Sequence, residues 1–187
     1  MKKTRAFVPI LAGLLLFSGC VAKVAPTTTS PPTTNISTST TAASTSTTTT
    51  VVSTVATTFT AKLSGAEVVP AVDTSATGSA TFIVDATGSR VHFLLKVSNI
   101  TDVIASRVHE GQLGANGQGL LILFPGPTKS GLFTGALAEG NFNASALIGS
   151  LTGKTIADFV ALLQSGQAYV NVGTTKNPKG EIRGQIR

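Results

Sequence analysis

The chain closes on Y-V-N-V-G-T-T-K-N-P-K-G-E-I-R-G-Q-I, residues 169–186. The stretch reads as two short strands joined by an Asn-Pro-Lys-Gly turn at 177–180, because Asn, Pro and Gly are the residues that let a backbone reverse. Working back from it, the chain from Phe59 onward is a succession of short alternating runs separated by Gly, Asn and Pro. Phe59-Thr-Ala-Lys-Leu63 alternates apolar and polar, and Ala80, Phe82 and Val84 share one face of the next run. Val91, Phe93, Leu95 and Val97 share an inner face, with His92, Lys96 and Ser98 facing outward. Further runs follow at 103–109, 119–124, 131–138, 167–172 and 181–186. A period of two places alternate side chains on opposite faces of a strand. Roughly eight strands at this spacing predict an all-β fold, an antiparallel β-sandwich or barrel of Greek-key-like character. The turns Asp85-Ala-Thr-Gly88 and Asn116-Gly117 are expected to supply the positive φ that tight turns need.

One short helix is expected near 155–164. Thr155-Ile-Ala-Asp158 has the form of a capping box with Asp in the acidic position. Ile156, Phe159, Val160, Leu162 and Leu163 then make an apolar stripe that would plug one end of the sandwich, and Gly166 supplies the stop.

The first 20 residues differ in kind. Lys2, Lys3 and Arg5 precede a mostly apolar run of twelve residues at 6–17. A membrane-spanning helix needs about 20 apolar residues, so the run fits the hydrophobic region of a signal peptide. It ends in Phe17-Ser18-Gly19-Cys20, which resembles the lipobox of bacterial and archaeal lipoproteins. The resemblance implies lipidation of Cys20, the chain's only cysteine, and anchoring to the outer face of a membrane. More than one acyl chain would make that anchor stable. A single cysteine also excludes an intrachain disulfide or a cysteine-based metal site.

Residues 21–58 contain 22 Ser or Thr, and Pro26, Pro31 and Pro32 lie near the start. Such a segment buries too little apolar surface to offset its ordering entropy. It is expected to be a disordered tether of the O-glycosylated-stalk type, reaching roughly 125 Å if fully extended. Three N-x-[ST] triplets, at Asn35, Asn99 and Asn143, are possible N-glycosylation sites in a host that glycosylates exported proteins. The formal net charge of +6 comes largely from the leader; from Phe59 onward 10 Lys and Arg face 8 Asp and Glu. Ten basic residues spread singly make no nucleic-acid stripe, so no nucleic-acid partner is expected.

Several motifs in order resemble the CHRD domain, the family named after chordin. Leu63-Ser-Gly-Ala-Glu67-Val-Val-Pro70 is similar to its opening L-S-G-x-x-E-V-P-P, one residue shorter and without the second Pro. Thr77-Gly78-Ser-Ala80 is similar to T-G-x-A, and the segment from Ala105 through Arg107, His109 and Gly111 to Asn116-Gly117 is similar to A-x-H-I-H-x-G followed by N-G. The closing stretch matches best. The resemblance covers residues 59–187 and implies an all-β domain of the kind found in exported microbial proteins and in chordin, an extracellular binder of growth factors. It carries over no activity.

The resemblance also bears on metal chemistry. A His-x-His pair on a strand puts two rings on one face, and a third His from the strand at Tyr169 would complete a set like that of copper/zinc superoxide dismutase. Here the first position is Arg107 and the third is Gly173, so His109 is the surviving candidate ligand. A fixed guanidinium charge opposes a cation. No metal and no cofactor are therefore expected. His109-Glu110 begins like H-E-x-x-H, but Leu113 stands at the second His and the segment reads as strand and loop. Gly111, Gly114, Gly117 and Gly119 lead into a strand, not a helix N-terminus, and no G-K-[ST] follows. His92 faces outward as a surface residue.

Arg107, His109, Glu110, Asn171 and Arg183 remain as a polar patch suited to a carboxylate or a sugar. The expectation is an exported, lipid-anchored surface domain with a non-enzymatic binding or structural role, its partners the membrane through Cys20 and an extracellular protein or glycan. A metal-dependent, dismutase-like exported enzyme is the alternative, and a self-associating surface element is a second one.

Overall fold

The structure, a computed structural model, describes residues 56–187. The expected signal peptide, Cys20, Asn35 and the tether up to residue 55 lie outside the described residues.

Seven strands and one α-helix make up the domain. β1 (Thr57–Ser64), β2 (Thr77–Val84), β3 (Val91–Glu110), β4 (Gly119–Phe124) and β5 (Lys129–Phe142) precede α1 (Ile156–Gln164), and β6 (Ala168–Thr174) and β7 (Ile182–Gln185) follow it. β1 begins at Thr57, two residues before the boundary expected at Phe59. All pairings are antiparallel. β3 organises the sheet. Its first half pairs with β2, Val91 opposite Val84, and its second half pairs with β6, Glu110 opposite Ala168. Strand order β2-β1-β7-β6-β3, together with the β2–β3 pairing, closes a barrel. β5 and β4 add to β3 as extra strands beyond the ring.

The count is seven where the sequence suggests roughly eight, because the runs at 91–97 and 103–109 are one 20-residue strand. The break between them is a bend within β3. Asn99 (φ 55°) and Asp102 (φ 52°) adopt left-handed backbone, which short polar side chains tolerate best, and the register with β5 shifts on both sides of Ile100. The bend is held from outside: Asn99 N donates to Thr134 Oγ1 at 3.0 Å, and Gly131 N donates to Asp102 Oδ1 at 2.7 Å. One strand can therefore serve both halves of the barrel.

The interior is apolar. Phe82, Val91, Leu95, Ile100, Val103, Val108, Val170, Val172 and Ile182 are all buried, each on the inward alternate position of its strand. Burying one such side chain is worth about 1.5–3 kcal/mol. α1 closes the end. Thr155 Oγ1 accepts from Asp158 N while the Asp158 carboxylate accepts from Thr155 N, a complete capping box. Phe159 then packs edge-on against Phe142 and Phe82, with ring centroids 5.5 and 6.4 Å away. Gly166, at φ 67°, ends the helix.

The Asn116-Gly117 turn differs from expectation. Gly88 has the positive φ expected of it, at 67°, but Gly117 is not among the positive-φ glycines. Glycine is required there because a Cβ would collide with the Glu110 carbonyl oxygen. At Gly117 the loop 111–118 folds back onto β3 too closely for a side chain.

Candidate functional site

β3, β6 and β7 lie side by side, and their register sets Arg107 opposite Asn171 and Asn171 opposite Arg183. One step along, His109 is opposite Tyr169. Since alternate residues share a face, these five side chains project from the outer surface of the barrel wall, while Val108, Val170, Val172 and Ile182 point into the core. Two segments wall the surface into a cleft of about 680 Å³. The segment after β1 contributes Val68, Val69, Pro70 and Val72, and the turn between β6 and β7 contributes Lys176, Pro178, Lys179 and Gly180.

Both walls are tied down. Gly65 O accepts from Val68 N at 3.2 Å and from Val72 N at 3.0 Å, and Asn116 Nδ2 donates to Val69 O at 2.8 Å. Asn171 Nδ2 donates to Lys179 O at 2.9 Å. Glu181, buried beneath both, accepts from Thr74, Thr174 and Asn177 and so links the two segments. Burial alone would raise its pKa, but these three hydrogen bonds and the nearby Lys176 charge outweigh that and hold the carboxyl below its usual range.

The floor of the cleft is a stack of three planar groups. The Arg183 guanidinium carbon sits 3.5 Å from the Tyr169 ring centroid, and the His109 ring lies 5.2 Å from it with planes 12° apart. β6 lies between β3 and β7, so His109 and Arg183 cover the Tyr169 ring from its two sides. Arg183 is 1% exposed. Its Nη1 donates to Asn116 Oδ1 at 3.2 Å, and its Nη2 donates to the carbonyls of Gln112 at 3.1 Å and Ala115 at 2.9 Å. Its Nε is buried without a hydrogen-bond partner. Burial lowers the Arg183 pKa, and the Tyr169 hydroxyl and Glu67 act in the opposite sense.

His109 Nδ1 lies 3.0 Å from Gly117 O. A carbonyl only accepts, so Nδ1 carries the proton and the neutral ring presents Nε2 as an acceptor. Burial lowers the His109 pKa; the Gly117 carbonyl opposes this, and the charges of Arg107 and Arg183 add to it. The ring is therefore neutral at pH 7.

Of the five residues expected in the polar patch, Arg107, His109, Asn171 and Arg183 line the cleft. Glu110 does not. It falls on the other face of β3, where its Oε2 accepts from Ser150 Oγ at 2.6 Å and Gln118 Nε2 at 3.1 Å, bonds that lower its pKa. Tyr169, Lys176, Lys179 and the aliphatic wall were not anticipated as site residues. Lys179 is in the N-P-K-G turn and Lys176 just before it, but nothing local shows which way a turn folds. His92 is a surface residue whose Nε2 lies 3.3 Å from Glu139 Oε1. Asn99 and Asn143 are exposed; Asn99 Nδ2 donates to Ser75 Oγ, and Asn143 Oδ1 caps the turn that follows it.

The cleft is cationic. Arg107, Lys176, Lys179 and Arg183 line it and no Asp or Glu does. Among the described residues no carboxylate lies within 4.0 Å of any of these four. Nor do the described residues bring together three His, Cys, Asp or Glu side chains that could hold a metal ion. Gly173 stands opposite Ala105, four residues along β3 from His109, which is roughly 13 Å. Gly173 offers no side-chain donor and Arg107 a fixed positive charge, which leaves His109 alone where zinc generally takes three or four protein ligands. A Cβ at Gly173 would also come 2.9 Å from Pro178 O.

Comparison with curated proteins and with solved structures finds no match for this chain. Comparison with protein-family models matches residues 59–186 to the CHRD domain. That span takes in every strand but the first two residues of β1, and with it the whole cleft, and on that match the chain belongs to the CHRD domain family.

Proposed function

We propose that this protein is an exported, lipid-anchored surface protein whose CHRD domain acts by binding, with the cleft on β3, β6 and β7 as its binding face. One observation carries the binding role. The domain holds open a walled cleft of about 680 Å³, within the usual size of ligand sites, and lines it with four cationic groups, none of them within 4.0 Å of a carboxylate among the described residues. A purely structural surface gains nothing from such an arrangement, because unpaired like charges repel.

Export and anchoring rest on the leader-like run and on Cys20. In this reading the lipid on Cys20 is the anchor; among the described residues no helix is long and apolar enough to cross a membrane. The tether lifts the domain away from the membrane, where the cleft meets extracellular partners.

The test has two arms. A mass spectrum of the protein from its native host reports whether Cys20 is the acylated N-terminus; an unmodified Cys20 inside an intact leader removes the anchoring role. Affinity capture of exported proteins with the full chain, repeated with Arg107→Ala, tests the binding role. Capture that the substitution leaves unchanged places binding elsewhere than the cleft.

A further inference from the structure

We infer that the cleft takes a carboxylate joined to an aliphatic group, as at an acidic or C-terminal position of a peptide segment. The inference rests on the binding role proposed above and names the ligand class for the same site.

Three features of the cleft select this class. The first is charge. Arg107 and Lys179 are exposed, Lys176 stands beside them, and Arg183 lies at the base with an unpaired, fully buried Nε. Buried charges are as a rule matched by an opposite charge, but Arg183 hydrogen-bonds only neutral acceptors and packs on an aromatic ring, and Glu67 acts on it from beyond ion-pair distance. Among the described residues no direct ion pair meets the cleft's cations, and an anion supplies one. A planar guanidinium such as Arg107 suits a carboxylate by paired N–H donation.

The second feature is the opposite wall. Val68, Val69, Pro70 and Val72 present aliphatic surface held rigid by the Gly65, Asn116 and Thr74 hydrogen bonds. A small inorganic anion leaves that wall wet, whereas an aliphatic group beside the carboxylate covers it.

The third feature decides against a sugar acid. Carbohydrates are commonly held by stacking on an aromatic face. The aromatic side chain of the cleft is Tyr169, which is 3% exposed and covered from both sides by His109 and Arg183. Its hydroxyl is also occupied, accepting from Gly117 N at 3.2 Å. Tyr169 therefore has no free face for a sugar to stack on.

Tyr169 is the only tyrosine, and the chain has no tryptophan, so the intrinsic fluorescence comes from this one ring at the base of the cleft. The full chain is titrated with N-acetyl-leucine, N-acetyl-leucinamide, hexanoate and glucuronate while tyrosine emission is read. The expected result is a saturable change with N-acetyl-leucine and a dissociation constant roughly tenfold or more weaker for the amide, the loss of one charge-assisted contact. Glucuronate is expected to bind at least as weakly as the amide. Arg107→Gln and Lys179→Gln, both at exposed positions, should each weaken the acid about tenfold and leave the amide unchanged, with thermal unfolding unaltered. Hexanoate equal to N-acetyl-leucine assigns the site to free aliphatic acids; weaker binding assigns it to peptide ends, and either supports the class. Equal binding of acid and amide overturns the inference while leaving a binding cleft. Glucuronate as tight as N-acetyl-leucine overturns it in favour of glycans. Silence with every probe also overturns it, and the capture experiment with Arg107→Ala then judges the binding role separately.

Discussion

Arg183 lies over Tyr169 with its guanidinium carbon 3.5 Å from the ring centroid, and both are buried on the outer side of the barrel wall. A charged group there is held by loop 111–118, whose Gln112 and Ala115 carbonyls and Asn116 side chain it binds. Arg183 is thus the bolt that fastens this loop over β6 and β7.

Arg183→Met, similar in length but without donors, should therefore cost about 3 kcal/mol, because it strands carbonyl acceptors and removes a cation–π contact. Urea unfolding of the full chain measures the loss. Arg183→Lys should recover little of it, since an ammonium does not reproduce the planar fork. A fully stable lysine variant would show that the charge alone suffices.

His109 makes stability depend on pH near neutrality. Its folded pKa lies below the ordinary 6.5, so between the two values the unfolded chain binds the extra proton. The contribution is complete above about 6.5 and is lost as pH falls from there through the folded pKa. His109→Gln should flatten this part of the curve, which thermal unfolding across the range checks.

Glu181 acts in a lower window. Its carboxyl is held below 4.5 by Thr174, Thr74 and Asn177 against the effect of burial, so its contribution is present above about 4.5 and lost as pH falls through the folded pKa. Glu181→Gln should reduce acid sensitivity and loosen both walls of the cleft. Faster amide exchange in residues 65–76 and 175–180 is the expected signature.

Two glycines carry tertiary contacts. A Cβ at Gly184 would strike the Lys62 carbonyl oxygen where β7 meets β1, so Gly184→Ala should cost about 3 kcal/mol at the seam that closes the barrel. Gly173→His should displace the 175–180 turn, weakening the Thr174 N to Asn177 O bond of 3.2 Å, at about 1–3 kcal/mol. Thermal unfolding ranks the two.

α1 offers a contrast of scale. Phe159 is fully buried against Phe82 and Phe142, so Phe159→Ala should cost about 3–5 kcal/mol. Thr155→Ala removes only the cap, about 1 kcal/mol.

The sequence by itself determined the class of fold and the location of its elements. Alternation in 91–97, the Thr155–Asp158 box and the Asp85–Gly88 turn are governed by neighbours within a few residues, so their physics is local and legible. The same periodicity put Arg107 with His109, and the family motif supplied Asn171 and Arg183 as candidates nearby. Carried one residue further, the periodicity also turns Glu110 to the other face, where its bonds to Ser150 and Gln118 lie. Only the tertiary structure decided that two runs form one bent strand, and that Gly117 is needed for close approach rather than for a turn. It alone brought the Val68–Val72 wall and Lys176 and Lys179 to the same cleft. Those outcomes depend on strand register and on loops folding over a sheet, where partners can lie more than 100 residues apart, as in the Thr74–Glu181 bond, 107 residues apart in sequence. Interactions at that separation leave no period in the chain, because their energy depends on which surfaces meet and not on which residues follow one another.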